Sequence, residues 1–107
     1  MNFTDQLKQL PAISHLAELQ LLNDKGEAVA RIENKPGKIG SLTVYHALAQ
    51  KYDGQITPTA AHEGLALFAE HTEDARQRPG AHPNIDRLFD IIQTNQTYNV
   101  KLVTLTQ

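Results

Sequence analysis

"LAELQLLNDKGEAVARIEN", residues 16–34, decides the fold. Two runs of alternating apolar and polar residues flank Asn23, Asp24, Lys25 and Gly26. Successive side chains on a strand point to opposite faces, so Ala17, Leu19 and Leu21 share one face, and Ala28, Ala30 and Ile32 share the matching face of a partner. The stretch therefore reads as a β-hairpin, with Gly26 supplying the positive φ of a short loop.

Outward from the hairpin the period changes to that of a helix. Toward the N-terminus, Phe3, Leu7 and Leu10 are spaced i, i+4, i+7, predicting a helix over residues 3–10 that Pro11 ends. Toward the C-terminus, residues 41–52 carry Leu42, Val44, Tyr45, Leu48, Ala49 and Tyr52 on one broad side of a helix that Gly54 stops. Residues 59–77 form the longest periodic stretch, with Ala61, Leu65, Phe68, Thr72 and Ala75 on one face. "RQRPGAHPN" breaks it, and Pro83 suits the first turn of a further helix with the stripe Ile85, Leu88, Phe89, Ile92. "YNVKLVTLT", rich in β-branched residues, reads as a strand over 98–106. The expectation is an α+β fold in the order α-β-β-α-α-α-β: a three-stranded antiparallel sheet, made of the hairpin and the C-terminal strand, packed on one face by about four helices.

The 107 residues are enough for a single core, so one domain over 1–107 is expected. Hydrophobic residues make up 40% but aromatic residues only 6%, which leaves the core to Leu, Ile, Val and Ala. No run reaches the roughly 18 apolar residues of a membrane span, and "MNFTDQLKQL" lacks the basic start of a signal peptide, so no membrane and a cytoplasmic location are expected. Without cysteine there is no disulfide, thiolate nucleophile or Cys-based metal site. The net charge of −2 hides a local excess: Glu63, Glu70, Glu73 and Asp74 face no Lys or Arg between residues 60 and 74. No basic stripe is present, which makes nucleic acid an unlikely partner.

Three stretches invite chemistry. "NKPGKIGSLTVYH", residues 34–46, resembles a phosphate loop: Gly37, Gly40 and Ser41 would let backbone N–H groups at a helix start reach an anion, with Lys35 or Lys38 adding charge. The nucleotide-triphosphate loop, however, needs Gly-x-x-x-x-Gly-Lys-Ser/Thr, and here Gly40 runs straight into Ser41. The favoured reading is a strand-to-helix turn with Ser41 as helix cap and a weaker anion site beside it. "HEGLALFAEH", residues 62–71, begins like a His-Glu-x-x-His zinc motif but has Ala66 where the second His belongs, so no metal is called. His71 lies nine residues after His62, on the opposite side of one continuous helix. On that helix Glu63, Glu70 and Asp74 form an acidic stripe with Leu67, a surface suited to another protein. "RPGAHPNIDR", residues 78–87, brings His82 near Asp86 at a helix start, where capping explains the residues as well as proton transfer does.

Three segments carry a family resemblance: "NKPGKIGSLTVYHALAQKY" at 34–52, "HEGLALFAEHTEDA" at 62–75 and "RPGAHPNIDRL" at 78–88. Through them almost the whole chain resembles a family of small bacterial proteins catalogued as a domain of unknown function. The resemblance implies a bacterial cytoplasmic setting and brings no activity, cofactor or catalytic residue with it.

Two functional expectations follow. The first is a non-enzymatic binding or regulatory module that makes protein contacts through Glu63, Leu67, Glu70 and Asp74, with homodimerisation allowed by an open sheet edge. The second is a small-ligand or phosphate-ester enzyme whose pocket is lined by the 34–41 loop and by His46, His71 and His82. The anion-binding candidates are Lys35, Gly37, Lys38, Gly40, Ser41 and His82. No catalytic residue, metal or cofactor is assigned. Convergence of the loop and the histidines on one concave space would favour the second expectation.

Overall fold

The computed structural model describes residues 2–105. Its elements are α1 (Phe3–Lys8), β1 (Leu16–Leu22), β2 (Ala28–Glu33), α2 (Ile39–Lys51), β3 (Gln55–Ile56), α3 (Pro58–Leu67), α4 (Glu70–Gln77), α5 (Pro83–Thr94) and β4 (Tyr98–Thr104). The expected three-stranded sheet is corrected to four antiparallel strands in the order β2-β1-β4-β3, and the order of elements to α-β-β-α-β-α-α-α-β with five helices. The Thr106 end of the predicted last strand lies outside the described residues.

The missed strand is β3. Asp53 (φ 57°) and Gly54 (φ 79°) turn the chain sharply out of α2, and Ile56 then pairs with Tyr98 on β4 while its side chain is fully buried. Two residues carry no readable alternation. The pairing exists because β4 is already in place beside them.

The missed helix break is at Ala69. Its φ of 54° is costly for a residue with a Cβ. Local bonds hold it there: Thr72 Oγ1 donates to the Leu65 carbonyl at 2.5 Å, and the Phe68 ring, buried, stacks on Phe3 at 5.5 Å between centroids. The predicted 59–77 helix is therefore two helices, α3 and α4, separated at Phe68 and Ala69.

The hairpin forms with Leu19 opposite Ile32 and Leu21 opposite Ala30, and Gly26 has φ 78° in its turn. An irregularity in the β1–β4 register between Leu16 and Glu18 makes Leu16, not Ala17, the fully buried residue at that end. Ala28 is likewise exposed, beyond a register shift at Leu21/Leu22. Leu19, Leu21 and Ile32 face α2, which is buried from Leu42 through His46 and again at Leu48 and Ala49. Behind it, Ala60, Ala61 and Gly64 of α3 let α5 approach closely with Ile85, Leu88 and Ile91. A Cβ on Gly64 would sit 2.8 Å from Leu88 Cδ1 and 2.9 Å from Leu48 Cδ1, so any larger residue at this crossing forces both leucines to shift. No helix among the described residues is long and apolar enough to cross a membrane.

Candidate functional site

The loop entering α2 and the loop entering α5 are about 45 residues apart in sequence, and each carries Pro and Gly because the chain must reverse before a helix starts. Gly37 (φ 88°) and Gly80 (φ 92°) supply the left-handed backbone. The fold brings the two loops to one cavity of about 770 Å³. Lys38 to Ser41 with Arg31, Ala81 to Ile85 with Arg87, and His71 at the start of α4 all line it. Phe3, Leu7, Phe68, Ile39 and Ile85 provide apolar surface.

Three cations, Arg31, Lys38 and Arg87, and two histidines, His71 and His82, line this space, and no carboxylate among the described residues does. Lys38 and Arg31 have rim partners, Glu33 at 3.6 Å and Glu18 at 3.9 Å. Arg87 is half-buried and forms no ion pair with any carboxylate among the described residues. Its Nη1 donates to Asn84 Oδ1 at 2.8 Å and to Tyr45 Oη at 3.3 Å, which fixes the guanidinium and leaves its other N–H groups unspent. The Tyr45 hydroxyl donates to the Asn84 carbonyl at 2.5 Å, and burial pushes its pKa up to about 12, so it stays a neutral support.

Both helix starts at the cavity lack a side-chain cap. Lys38 and His82 occupy the cap positions of α2 and α5 without capping hydrogen bonds. The first-turn N–H groups of a helix have no intrahelical acceptor and carry its positive end. Ser41 is not the cap expected from the sequence; it lies in the first turn of α2, because the helix begins earlier, at Ile39. Gly40 is also inside the helix, where a Cβ would meet Phe3 Cε2 at 2.8 Å. Its role is to let α1 close the cavity. Lys35 does not line the space and pairs with Glu33 at 3.0 Å.

His82 is oriented by Asp74, with Nε2 at 2.6 Å from Oδ2. Arg78 grips the same carboxylate, Nε to Oδ1 at 2.9 Å and Nη2 to Oδ2. Arg78 first, and His82 second, hold the Asp74 carboxyl well below the usual carboxylate range. The His71 ring stands 5.6 Å from that of His82 and meets Phe3 edge-on at 4.9 Å. The break at Ala69 starts the new helix that carries both His71 and Asp74.

His46 does not join them. It is buried, faces the His15 ring at 5.6 Å, approaches Gln50 Nε2 at 3.2 Å and has no partner for Nδ1 among the described residues. Burial, with a smaller contribution from His15, lowers its pKa. No group of three or more His, Asp or Glu among the described residues could hold a metal ion.

The acidic stripe is taken apart by the same break. Glu63 on α3 accepts from Lys51 Nζ at 2.7 Å and Tyr52 Oη at 2.9 Å, Glu70 accepts the Phe3 N–H at 2.8 Å, and Asp74 serves Arg78 and His82. Leu67, expected to be exposed, is half-buried and packs on the core. Sequence reasoning missed Arg31, Arg87, Phe3 and Phe68 as lining residues. Arg87 had a signal: three residues after Asn84, it shares a helix face with the loop end. Arg31 had none, since it reads as an ordinary outward strand position.

The chain matches the profile of the family described as an uncharacterized protein conserved in bacteria, DUF2322, over residues 3–102, and belongs to that family. No curated protein and no solved structure matches it.

Proposed function

We propose that this bacterial DUF2322 protein binds a small anionic molecule, a phosphate monoester with an apolar body, between its two Pro-Gly loops. The observation that carries the reading is the lining: three cations and two histidines with no carboxylate among the described residues, in a chain whose net charge is −2. Cations gathered in a cleft with low-dielectric walls focus a positive field on whatever enters. The uncapped start of α2 lies beside the same space and adds first-turn N–H groups, whereas at α5 Pro83 has no N–H and Ile85 already donates to the His82 carbonyl. A phosphate dianion offers more acceptor sites than a carboxylate for this many donors, and Arg87 can engage it through a fork. Phe3, Leu7 and Phe68 suit an aromatic or aliphatic body. Small phosphate esters are cytoplasmic metabolites, and we take the cytoplasm as the setting. Docking of another protein on Glu63, Glu70 and Asp74 draws less support, because each of those carboxylates is already engaged within the fold.

The test is thermal unfolding with phenyl phosphate. A ligand at 100 times its dissociation constant stabilises the native state by about 2.7 kcal/mol. For a domain of this size that corresponds to a rise in Tm of roughly 10 °C or more. Benzoate should produce a smaller rise and benzyl alcohol none. An unchanged Tm at millimolar phenyl phosphate would refute the proposal.

A further inference from the structure

The geometry points to a reaction in the same cavity: we infer that it transfers the phosphoryl group of a bound monoester to His82, with Asp74 as positioning residue and His71 as proton donor. This rests on the anion-binding reading above. Its independent ground is the arrangement of the histidines.

Asp74 is a carboxylate locked by Arg78, and it lies 2.6 Å from His82 Nε2. A locked acceptor at that distance keeps the ring proton on Nε2, because the nitrogen facing a carboxylate must donate. The lone pair is then on Nδ1, to which no described residue hydrogen bonds. The Arg78–Asp74 pair is itself solvent-exposed, and His82 is the more buried partner. Here the ring so oriented lines the cavity that Arg87 and Lys38 also line, and a second imidazole stands 5.6 Å away.

Phosphoryl transfer asks little covalent chemistry of a protein. Its transition state is loose, and the work is to align the nucleophile, neutralise the equatorial oxygens and protonate the leaving group. Arg87 and Lys38 take the oxygens. Nδ1 of His82 attacks phosphorus as the bond from phosphorus to the ester oxygen breaks. The leaving oxygen takes a proton from the His71 imidazolium and departs as the alcohol, and Asp74 stabilises the positive charge that develops on the His82 ring. Water then attacks the phosphohistidine, His71 recovers the proton lost by the water, and inorganic phosphate leaves with His82 restored. The balance is one ester and one water in, one alcohol and one phosphate out.

The experiment uses the full chain with p-nitrophenyl phosphate. Release of p-nitrophenol is followed while samples quenched in alkali are analysed by intact mass, since phosphohistidine survives base and is lost in acid. The expected result is turnover together with a single added phosphoryl group that acid removes. His82→Asn, which keeps a side chain suited to a helix cap, should abolish the adduct and slow turnover by at least about 100-fold. Asp74→Asn should slow adduct formation by at least about 10-fold, because the amide no longer holds the ring proton on Nε2 or stabilises the charged ring. It should leave calorimetric binding of inorganic phosphate unchanged, a split that a merely structural role would not produce. Phosphate binding by the wild type with no turnover and no adduct would overturn this inference and leave the binding function standing. Turnover that persists in His82→Asn would overturn it too. Absence of phosphate binding would overturn both.

Discussion

Replacing Arg87 by Met keeps most of the side-chain stem and removes the guanidinium. In the structure Nη1 is spent on Asn84 and Tyr45, so the groups lost to a ligand are the remaining N–H donors and the charge. Hydrogen bonds to charged groups contribute about 1.5–3 kcal/mol. At 1.4 kcal/mol per tenfold, the dissociation constant for phenyl phosphate should rise about 10- to 150-fold. Folding loses the bond from the charged guanidinium to Asn84, at most about 1.5–3 kcal/mol on the same scale, while the buried Tyr45 hydroxyl keeps its acceptor on the Asn84 carbonyl. Isothermal titration measures the first quantity and a urea midpoint the second, with Lys25→Met in the exposed hairpin turn as a charge-matched control. If Arg87→Met binds phenyl phosphate as tightly as the wild type, the unpaired guanidinium is not an anion-binding group and the site is misread. If affinity falls only in step with stability, the effect is one of folding, and the reasoning fails equally.

Two further outcomes test the framework around the site. Gly64→Ala relieves about 1 kcal/mol of glycine's helix penalty but drives a methyl against Leu48 and Leu88, both fully buried and unable to swing away, at an overpacking cost of about 1–3 kcal/mol. The expected result is a lower Tm, by several degrees for each kcal/mol lost, and a Tm equal to or above the wild type would contradict the packing described. Asp74 titrates at a lower pH in the folded chain than the usual 3.8, because Arg78 and His82 favour its anion. Its contribution to stability is therefore present above that usual value and is lost as pH falls through the lower folded value. Asp74→Asn should be less stable than the wild type at neutral pH, with the gap between urea midpoints narrowing as pH drops below 3.8, and a gap independent of pH would count against the Asp74 network.

Much of the framework could be read from local pattern, because local pattern was enough to specify it. The β1–β2 hairpin, the Gly26 turn, Pro83 in the first turn of α5 and the α5 stripe of Ile85 and Leu88 depend on neighbours within a few residues. The failures share a cause. Nothing around Ala69 in "HEGLALFAEHTEDA" marks a helix end, since the one weak helix former, Gly64, lies five residues earlier inside α3, and the break exists because Phe68 must stack on Phe3 and Thr72 finds the Leu65 carbonyl. Gln55 and Ile56 become a strand only because Asn99 and Tyr98 wait beside them.

The sequence by itself determined the class of fold, the apolar faces and the short list of residues able to carry charge or a proton, since those follow from residue type and period. It also held both Pro-Gly loops, with Lys38 in one and His82 in the other. Only the tertiary structure decided that these loops line one cavity, that Arg87 lines it without a carboxylate partner among the described residues, and that His71 belongs there while His46 does not. The physical reason is distance along the chain. Helix and strand periods fix the direction of a side chain relative to its own element, but where two elements meet is set by the packing of α1, α2 and α5 around buried leucines and Gly64, which no local window contains.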